Sequence, residues 1–210
     1  MKPLRTLAIS DLHGRLERAA QFSKLASADF HCLVLCGDIT HLGPTDLGRK
    51  IVETLTKSGI PVLYVAGNMD PPTILEALQG VGVNLHGEPA TVGGFTFLGA
   101  GFEYAIGENL KRGFGKLEGR KLDVLVTHAP PYGTEVDTIW GGRHIGSPEV
   151  RSFIQEHRPS IALCGHVHEA RGLDRLGETL ICNPGPAAQG FYAEIQLGGR
   201  VEAELLRLKG

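Results

Sequence analysis

The 210-residue sequence predicts an α/β fold, and three observations support this. Short apolar runs alternate with stretches of helical periodicity, the β-α-β-α-β order of a parallel sheet with right-handed crossovers. The apolar runs are continuous, as expected for strands covered on both faces. After residue 80 the pattern changes to short strands separated by glycines, which predicts a second, more antiparallel sheet.

In the first half of the chain, each of three predicted strands is followed by an oxygen donor, namely Asp11, Asp38 or Asn68. Because the carboxyl ends of parallel strands share one edge of the sheet, we expect these three donors to converge. Pro71-Pro72 should then begin a short helix, since proline is tolerated in the first turn. The predicted elements are, in order, a strand over 4–10, a helix over 15–26, a strand over 32–36, a helix over 47–58 and a strand over 61–66.

The second half is less regular. Gly93-Gly94 is typical of a hairpin turn, and the glycine-broken residues 107–119 predict a loop or a weak helix. No internal boundary or repeat interrupts the chain, so a single domain over 1–210 is expected. The remaining predicted elements are a strand over 122–127, a helix over 148–157, a strand over 160–164 and several strands between 171 and 208.

Composition limits the possible functions and the compartment. A formal charge of -2 gives no whole-molecule field to attract nucleic acid or an anionic membrane, so an anionic substrate must be held locally. Residues 1–5 run into the first strand without a signal peptide, and no apolar run has membrane-spanning length. Cys32, Cys36, Cys164 and Cys182 lie in apolar runs and predict buried free thiols. We therefore expect a cytoplasmic protein.

Metal-binding side chains follow five predicted strands. They supply three oxygen donors and four imidazoles, which suits two divalent ions better than one. Two ions about 3.5–4 Å apart can share a carboxylate, and Asp38 is the natural bridge. Any one of these histidines alone could be an ordinary core residue, but the recurrence at strand ends argues against that interpretation. The seven candidate ligands are Asp11, His13, Asp38, Asn68, His128, His166 and His168.

The order of these motifs, D-x-H, G-D, G-N, H-A-P-P and G-H-V-H, resembles the calcineurin-like metallophosphoesterase superfamily, especially its small archaeal and bacterial members. The resemblance spans residues 11–168. It implies a four-layer αββα sandwich, with two mixed β-sheets packed face to face and helices outside, which is the metallo-dependent phosphatase fold. It also implies that Asp11, His13, Asp38 and His168 hold one metal, while Asp38, Asn68, His128 and His166 hold the other.

The expected reaction is phosphoester hydrolysis by a hydroxide that bridges two metal ions, with no amino-acid nucleophile. The imidazole-rich donor set argues against a dedicated Mg²⁺ site. Mn²⁺ is the favoured metal, with Fe, Zn²⁺, Ni²⁺ or Co²⁺ as alternatives. Asp38 and Asn68 are the expected catalytic ligands. Asp70 and Glu169 are expected to orient imidazoles or the backbone, although simple solvation explains them nearly as well.

One position departs from the family pattern. Many members have a histidine directly after the metal-binding asparagine, where this chain has Met69, and a thioether cannot deliver a proton. Relatives without that histidine are often phosphodiesterases, which favours diesters over monoesters. His41 and His144 are the candidate substitute acids, although an ordinary surface histidine is the commoner case for each.

The segment 132–147 directly follows His128 and is long enough to be functional. Trp140 could stack on a base and Arg143 could pair with phosphate, which predicts a substrate wall. A subunit contact explains an aromatic residue equally well and leaves a homo-oligomer open. Arg15 could also reach phosphate, although solvation at a helix start is the simpler interpretation.

Two classes of function follow from the sequence. The first is a dinuclear-metal phosphodiesterase acting on a small nucleotide-like diester. The second is a catalytically weak or inactive scaffold that binds a protein or nucleotide. The complete ligand set favours the enzyme, while Met69 keeps the scaffold open as an alternative.

Overall fold

Two six-stranded β-sheets pack face to face in the computed structural model, which describes residues 2–101 and 105–209. The helices are α1 (Leu16–Asp29), α2 (Thr45–Thr56), α3 (Ile74–Ala77), α4 (Ile106–Gly115) and α5 (Pro148–His157). The strands are β1 (Leu4–Ile9), β2 (Cys32–Cys36), β3 (Val62–Val65), β4 (Val83–Asn84), β5 (Ala90–Val92), β6 (Phe95–Ala100), β7 (Val124–Thr127), β8 (Thr138–Ile139), β9 (Arg143–His144), β10 (Ile161–Leu163), β11 (Gly172–Leu176), β12 (Thr179–Asn183), β13 (Phe191–Leu197) and β14 (Glu202–Arg207).

Both sheets are mixed, as predicted. The first sheet has the order β14-β13-β1-β2-β3-β4, in which β1 to β4 are parallel and β13 and β14 add antiparallel strands. The second has the order β11-β12-β10-β7-β6-β5, with a parallel centre and an antiparallel strand at each edge. The carboxyl ends of the parallel strands in each sheet therefore lie along one edge of that sheet.

Three hydrophobic clusters join four layers. Alternation along β1 shows the arrangement, since Leu7 and Ile9 pack with Phe22 of α1 whereas Ala8 belongs to the cluster between the sheets. A third cluster joins the second sheet to α4 and α5, where Leu125 packs with Phe153. The resulting αββα sandwich confirms the predicted fold class.

Two segments are more ordered than predicted. Residues 106–115 form α4, because Ile106, Asn109 and Leu110 provide a buried face and Gly113 allows close packing on Leu98. A Cβ at Gly113 would lie 2.4 Å from Leu98 Cδ1, so this glycine permits contact and does not break the helix. The long segment 132–147 contains a 3₁₀ turn at Glu135–Asp137 and the hairpin β8-β9.

Among the described residues, no helix has the length and apolarity needed to cross a membrane.

The four cysteines are buried and unpaired, as predicted. Burial raises the pKa of the Cys32 thiol to about 11 and that of Cys182 to about 12, and it raises those of Cys36 and Cys164 well above the usual range. We therefore expect N-ethylmaleimide to leave the native protein unmodified and to label all four thiols in denaturant, as measured by mass. Rapid labelling of any cysteine under native conditions would contradict this packing.

Candidate metal centre

Five strand ends from both sheets meet at one place. The first sheet supplies donors after β1, β2 and β3, and the second supplies them after β7 and β10. The structure thereby brings together all seven ligands predicted from the sequence, which are Asp11, His13, Asp38, Asn68, His128, His166 and His168.

One group of donors surrounds His13. Its Nε2 lies 3.2 Å from His168 Nε2 and 3.8 Å from Asp38 Oδ2, and His168 Nε2 lies 3.2 Å from Asp11 Oδ1. The donor atoms of Asp11, His13 and His168 all lie within 4.8 Å of one another, a separation suited to ligands of a single cation.

A second group lies beside the first. His128 Nε2 is 2.9 Å from Asn68 Oδ1 and 3.4 Å from Asp38 Oδ1, and His166 Nδ1 is 2.9 Å from the same Asn68 oxygen. Asp38 thus directs one carboxylate oxygen toward each group, as a bridging ligand must. The second group of mutually close donors contains Asp11, Asp38 and His128, so Asp11 also borders both groups.

Four of these candidate ligands have a left-handed backbone. The φ angles are 58° at Asp11, 46° at His13, 49° at Asp38 and 70° at His166. L-residues rarely adopt this conformation, and each instance costs roughly 1–3 kcal/mol. The backbone is therefore held in an unfavourable shape at the positions where the side chains must converge.

Glycines let the ligand loops approach one another. A Cβ at Gly67 would lie 2.1 Å from Asp38 Oδ1, and one at Gly165 would lie 2.6 Å from Asp11 Oδ2. Since real Cβ atoms do not come so close, only glycine fits at these two positions. The main chain at Gly67 therefore packs directly against the Asp38 carboxylate, and the main chain at Gly165 packs against that of Asp11.

Backbone hydrogen bonds fix the orientation of individual ligands. His128 Nδ1 donates to the Cys36 carbonyl at 2.8 Å, which turns its Nε2 toward Asp38 and Asn68. The Met69 N–H donates to Asp38 Oδ1 at 2.8 Å.

Asp70 orients the backbone of the ligand loops, one of the two roles considered for it. Its carboxylate accepts from the N–H groups of Ile39, Thr40 and Gly67 and from the Thr40 hydroxyl. It thereby ties the turn after β2 to the turn after β3.

The electrostatics of the cluster fit divalent cations. The Asp11 and Asp38 side chains are almost fully buried, and buried carboxylates require a positive partner. Burial alone would lower the pKa of His128, but Asp38 and Asp11 raise it to about 9. His168, which contacts Asp11, also has a raised pKa, whereas burial lowers those of His13 and His166. A mixed carboxylate, amide and imidazole set of this kind suits transition metals.

Two cavities adjoin the cluster and share Asn68. We call the first, of about 880 Å³, the polar cavity, and the second, of about 690 Å³, the apolar cavity. The polar cavity is lined by His13, Gly14, Arg15, Asp38, His41, Gly43, Leu47, Asn68, Met69, His166, His168, Ala188 and Gln189. The apolar cavity is lined by Ala66, Gly67, Asn68, Asp70, Pro71, Pro72, Ile74, Leu75, Ile106, Ala129, Ile145, Gly146, Ser147 and Glu149.

The other candidate residues differ in their distance from the cluster. Arg15 and His41 line the polar cavity, and His41 Nδ1 lies 3.4 Å from His13 Nδ1. Trp140 is 88% exposed in the turn between β8 and β9, and Arg143 lies in β9. Neither Trp140 nor Arg143 is among the described residues that line the two cavities, so their contact with substrate stays a prediction.

His144 belongs to a separate cluster around Asp137, which the sequence analysis missed. His144 Nδ1 lies 2.7 Å from Asp137 Oδ1, and the buried carboxylate also accepts backbone N–H groups of Gly133, Thr134 and Gly146. Thr134 and Asp137 form a capping box, a three-residue spacing that could have revealed the role of Asp137. The catalytic role of His144 stays a prediction.

The fold and the donor cluster agree with known proteins. Residues 4–170 match the family model described as calcineurin-like phosphoesterase, so the chain belongs to that family. It is 31% identical over 209 residues to an uncharacterized protein of Methanocaldococcus jannaschii, MJ1162, covering 91% of this chain and 93% of that protein.

Two further comparisons extend this likeness. The chain is 28% identical over 199 residues to a probable cyclic nucleotide phosphodiesterase of Synechococcus sp., covering 87% of this chain and 75% of that protein. The crystal structure of TT1561 from Thermus thermophilus superposes with a TM-score of 0.77 at 22% identity, over 97% of this chain and 98% of that one. The structural likeness shows the fold.

Backbone strain at His13 predicts an unusual order of stability. In metal-free protein, we expect His13→Gly to be more stable than His13→Ala by about 1 kcal/mol, because only glycine adopts the left-handed conformation without cost. Urea unfolding with a chelator measures the difference. At Glu17 in α1, the same pair of substitutions should give the opposite order, since alanine favours helix. Equal stability of the two His13 variants would contradict the strain.

The hydrogen bonds around Asp137 predict that a substitution at this position destabilises the protein. We expect Asp137→Asn to lower the free energy of unfolding by about 1–3 kcal/mol, since the carboxylate accepts three backbone N–H groups and one amide oxygen cannot replace it. Asp29→Asn, at a side chain 74% exposed, is the control. Urea unfolding measures both.

The stability difference between wild type and Asp137→Asn should also depend on pH. Burial alone would raise the pKa of Asp137, but hydrogen bonds from His144 and the backbone lower it. Its contribution should therefore be complete above the unfolded pKa of about 3.9 and disappear as pH falls through the lower folded value. A difference between wild type and Asp137→Asn that grows on acidification would refute this assignment.

Proposed function

We propose that this protein is a dinuclear-metal-dependent phosphodiesterase acting on a small diester. One observation carries the proposal, namely two adjacent donor groups that share the buried carboxylate of Asp38. Membership of the calcineurin-like phosphoesterase family supports phosphoester hydrolysis as the reaction class.

The proposed ligands divide between two ions. Asp11, His13 and His168 would hold the first, Asn68, His128 and His166 would hold the second, and Asp38 would serve both. When bound, two dications lower the pKa of a water and neutralise the phosphoryl oxygens. We favour Mn²⁺, with Fe, Zn²⁺, Ni²⁺ or Co²⁺ also compatible with this mixture of oxygen and imidazole donors.

The protein residues bind and orient the substrate phosphate. Arg15 and His41 lie on the wall of the polar cavity beside the ligands, where a guanidinium and an imidazole can donate to phosphoryl oxygens. Asp70 holds the loops after β2 and β3 together, which keeps Asp38 and Asn68 in register. His41 is our candidate to protonate the leaving group.

Met69 supports a diester as the substrate. Its side chain lines the polar cavity in a position where many relatives have a histidine, and a thioether donates no proton. Diesters with good leaving groups need little protonation. The likeness to a probable cyclic nucleotide phosphodiesterase agrees with this choice.

Four buried free thiols are usual in a reducing compartment, which supports a cytoplasmic location.

Hydrolysis of bis(para-nitrophenyl) phosphate with Mn²⁺ tests the proposal. We expect turnover that a chelator abolishes and that Asp38→Ala reduces at least a thousandfold, because this variant removes the ligand common to both donor groups. Asp29→Ala on the surface should retain activity. Stoichiometric metal binding without hydrolysis of monoesters or diesters would instead support the scaffold alternative.

Introducing a histidine at position 69 tests the role of Met69. We expect Met69→His to raise kcat on diesters with poor leaving groups by about 100-fold, the lower end of the roughly 10²–10⁴-fold that general acid catalysis typically contributes. The Met69 N–H bond to Asp38 is made by the backbone and survives the substitution. Met69→Leu is the matched control. An equal response of activated and unactivated esters to Met69→His would show that proton delivery is not limiting.

A further inference from the structure

The apolar cavity borders the metal centre at Asn68, and neither Arg15 nor His41 is among its described lining residues. Gly67 and Asn68 border it at the cluster, and Asn68 also lines the polar cavity. A phosphate bound at the metal centre would therefore adjoin two cavities, one for each of its two ester substituents. The volume of about 690 Å³ is within the range of small-molecule sites.

Apolar residues form most of the wall of this cavity. The segment after β3 contributes a proline pair and the start of α3, while the segment after β7 contributes Ala129 and Ile145. The apolar lining residues are Ala66, Pro71, Pro72, Ile74, Leu75, Ile106, Ala129 and Ile145. Burial of an apolar group here would release water from both surfaces.

Several polar groups in the wall are already bonded to protein, namely those of Asp70, Gly146 and Ser147. Asp70 accepts from three backbone N–H groups and a hydroxyl. Ser147 Oγ donates to Glu149 Oε2 at 2.7 Å and accepts from the Val150 N–H at 3.2 Å. The Gly146 N–H donates to Asp137. A polar ligand group entering this space would lose water and gain few partners.

Charge distinguishes the two cavities. The described residues that line the apolar cavity include the carboxylates of Asp70 and Glu149 and no lysine, arginine or histidine. The polar cavity carries Arg15 and His41. A second anionic group is therefore disfavoured in the apolar cavity and tolerated in the polar one.

We propose that the apolar cavity is the subsite for one ester substituent of the substrate, and that this substituent is an uncharged apolar group such as an aromatic ring or a short alkyl chain. The inference rests on the proposed phosphodiesterase function and deepens it. It assigns the more polar or charged substituent to the polar cavity.

A series of para-nitrophenyl phosphodiesters tests this assignment. The leaving group is constant and the second substituent is methyl, propyl, phenyl or naphthyl, with each rate divided by that of hydroxide hydrolysis. We expect kcat/KM to rise about fourfold for each methylene removed from water, or about sixteenfold from methyl to propyl, which adds two methylenes. A carboxylate on the naphthyl ring should lower kcat/KM about tenfold or more.

Variants locate the effect. Leu75→Trp and Ile145→Trp fill the cavity from different segments, and each should bring the naphthyl-to-methyl ratio of kcat/KM close to one. Leu173→Trp, at a 40% exposed leucine of β11 outside both cavities, is the matched control and should keep the wild-type ratio. Glu149→Gln should raise kcat/KM about two- to threefold for the carboxylated ester only, by removing one repelling charge.

A binding measurement separates this inference from the proposed function. Naphthol titrated into metal-free protein should shift the amide resonances of Leu75, Ile106 and Ile145, and Leu75→Trp should abolish the shifts. Hydrolysis of all esters at one kcat/KM would overturn the inference and leave the phosphodiesterase intact. If no ester is hydrolysed with any metal, the proposed function fails and the ester subsite fails with it; absence of the naphthol shifts would overturn the inference in either case.

Discussion

The structure depends on two carboxylates buried at the meeting point of two sheets. Asp11 and Asp38 are 1% and 2% exposed, and four imidazoles and one amide surround them. Removing such charges from water is expensive unless cations accompany them. Burial lowers the pKa of the His128 imidazole, but both carboxylates raise it, to about 9. Divalent cations held by the seven candidate donors, as we propose, would satisfy this requirement.

The surrounding fold stabilises the strained backbone of the donor cluster. Four ligands have left-handed backbones, and the turns that carry them are fixed by main-chain hydrogen bonds, by Asp70 and by glycines that permit near contact. Strain of this kind persists only where surrounding structure over-determines it. The three apolar clusters between the layers supply that support, because they fix the strands whose ends bear the ligands.

The convergence of the seven candidate donors could be predicted from the sequence because each donor follows an apolar strand, so topology brings them together. Asp137 was missed, since its importance comes from N–H groups on both sides of a hairpin that the sequence presents as a loop. Helix α4 was underestimated because Gly113 is usually a breaker, whereas here it fits against Leu98. The apolar cavity arises from residues far apart in the chain, such as Leu75 and Ile145, and no local pattern marks it.

The most direct test of the metal centre is anomalous diffraction from crystals grown with Mn²⁺. The account predicts two peaks about 3.5–4 Å apart, one near His13 and His168 and the other near His128 and His166, with Asp38 between them. A single peak, or manganese bound only at other residues, would contradict it.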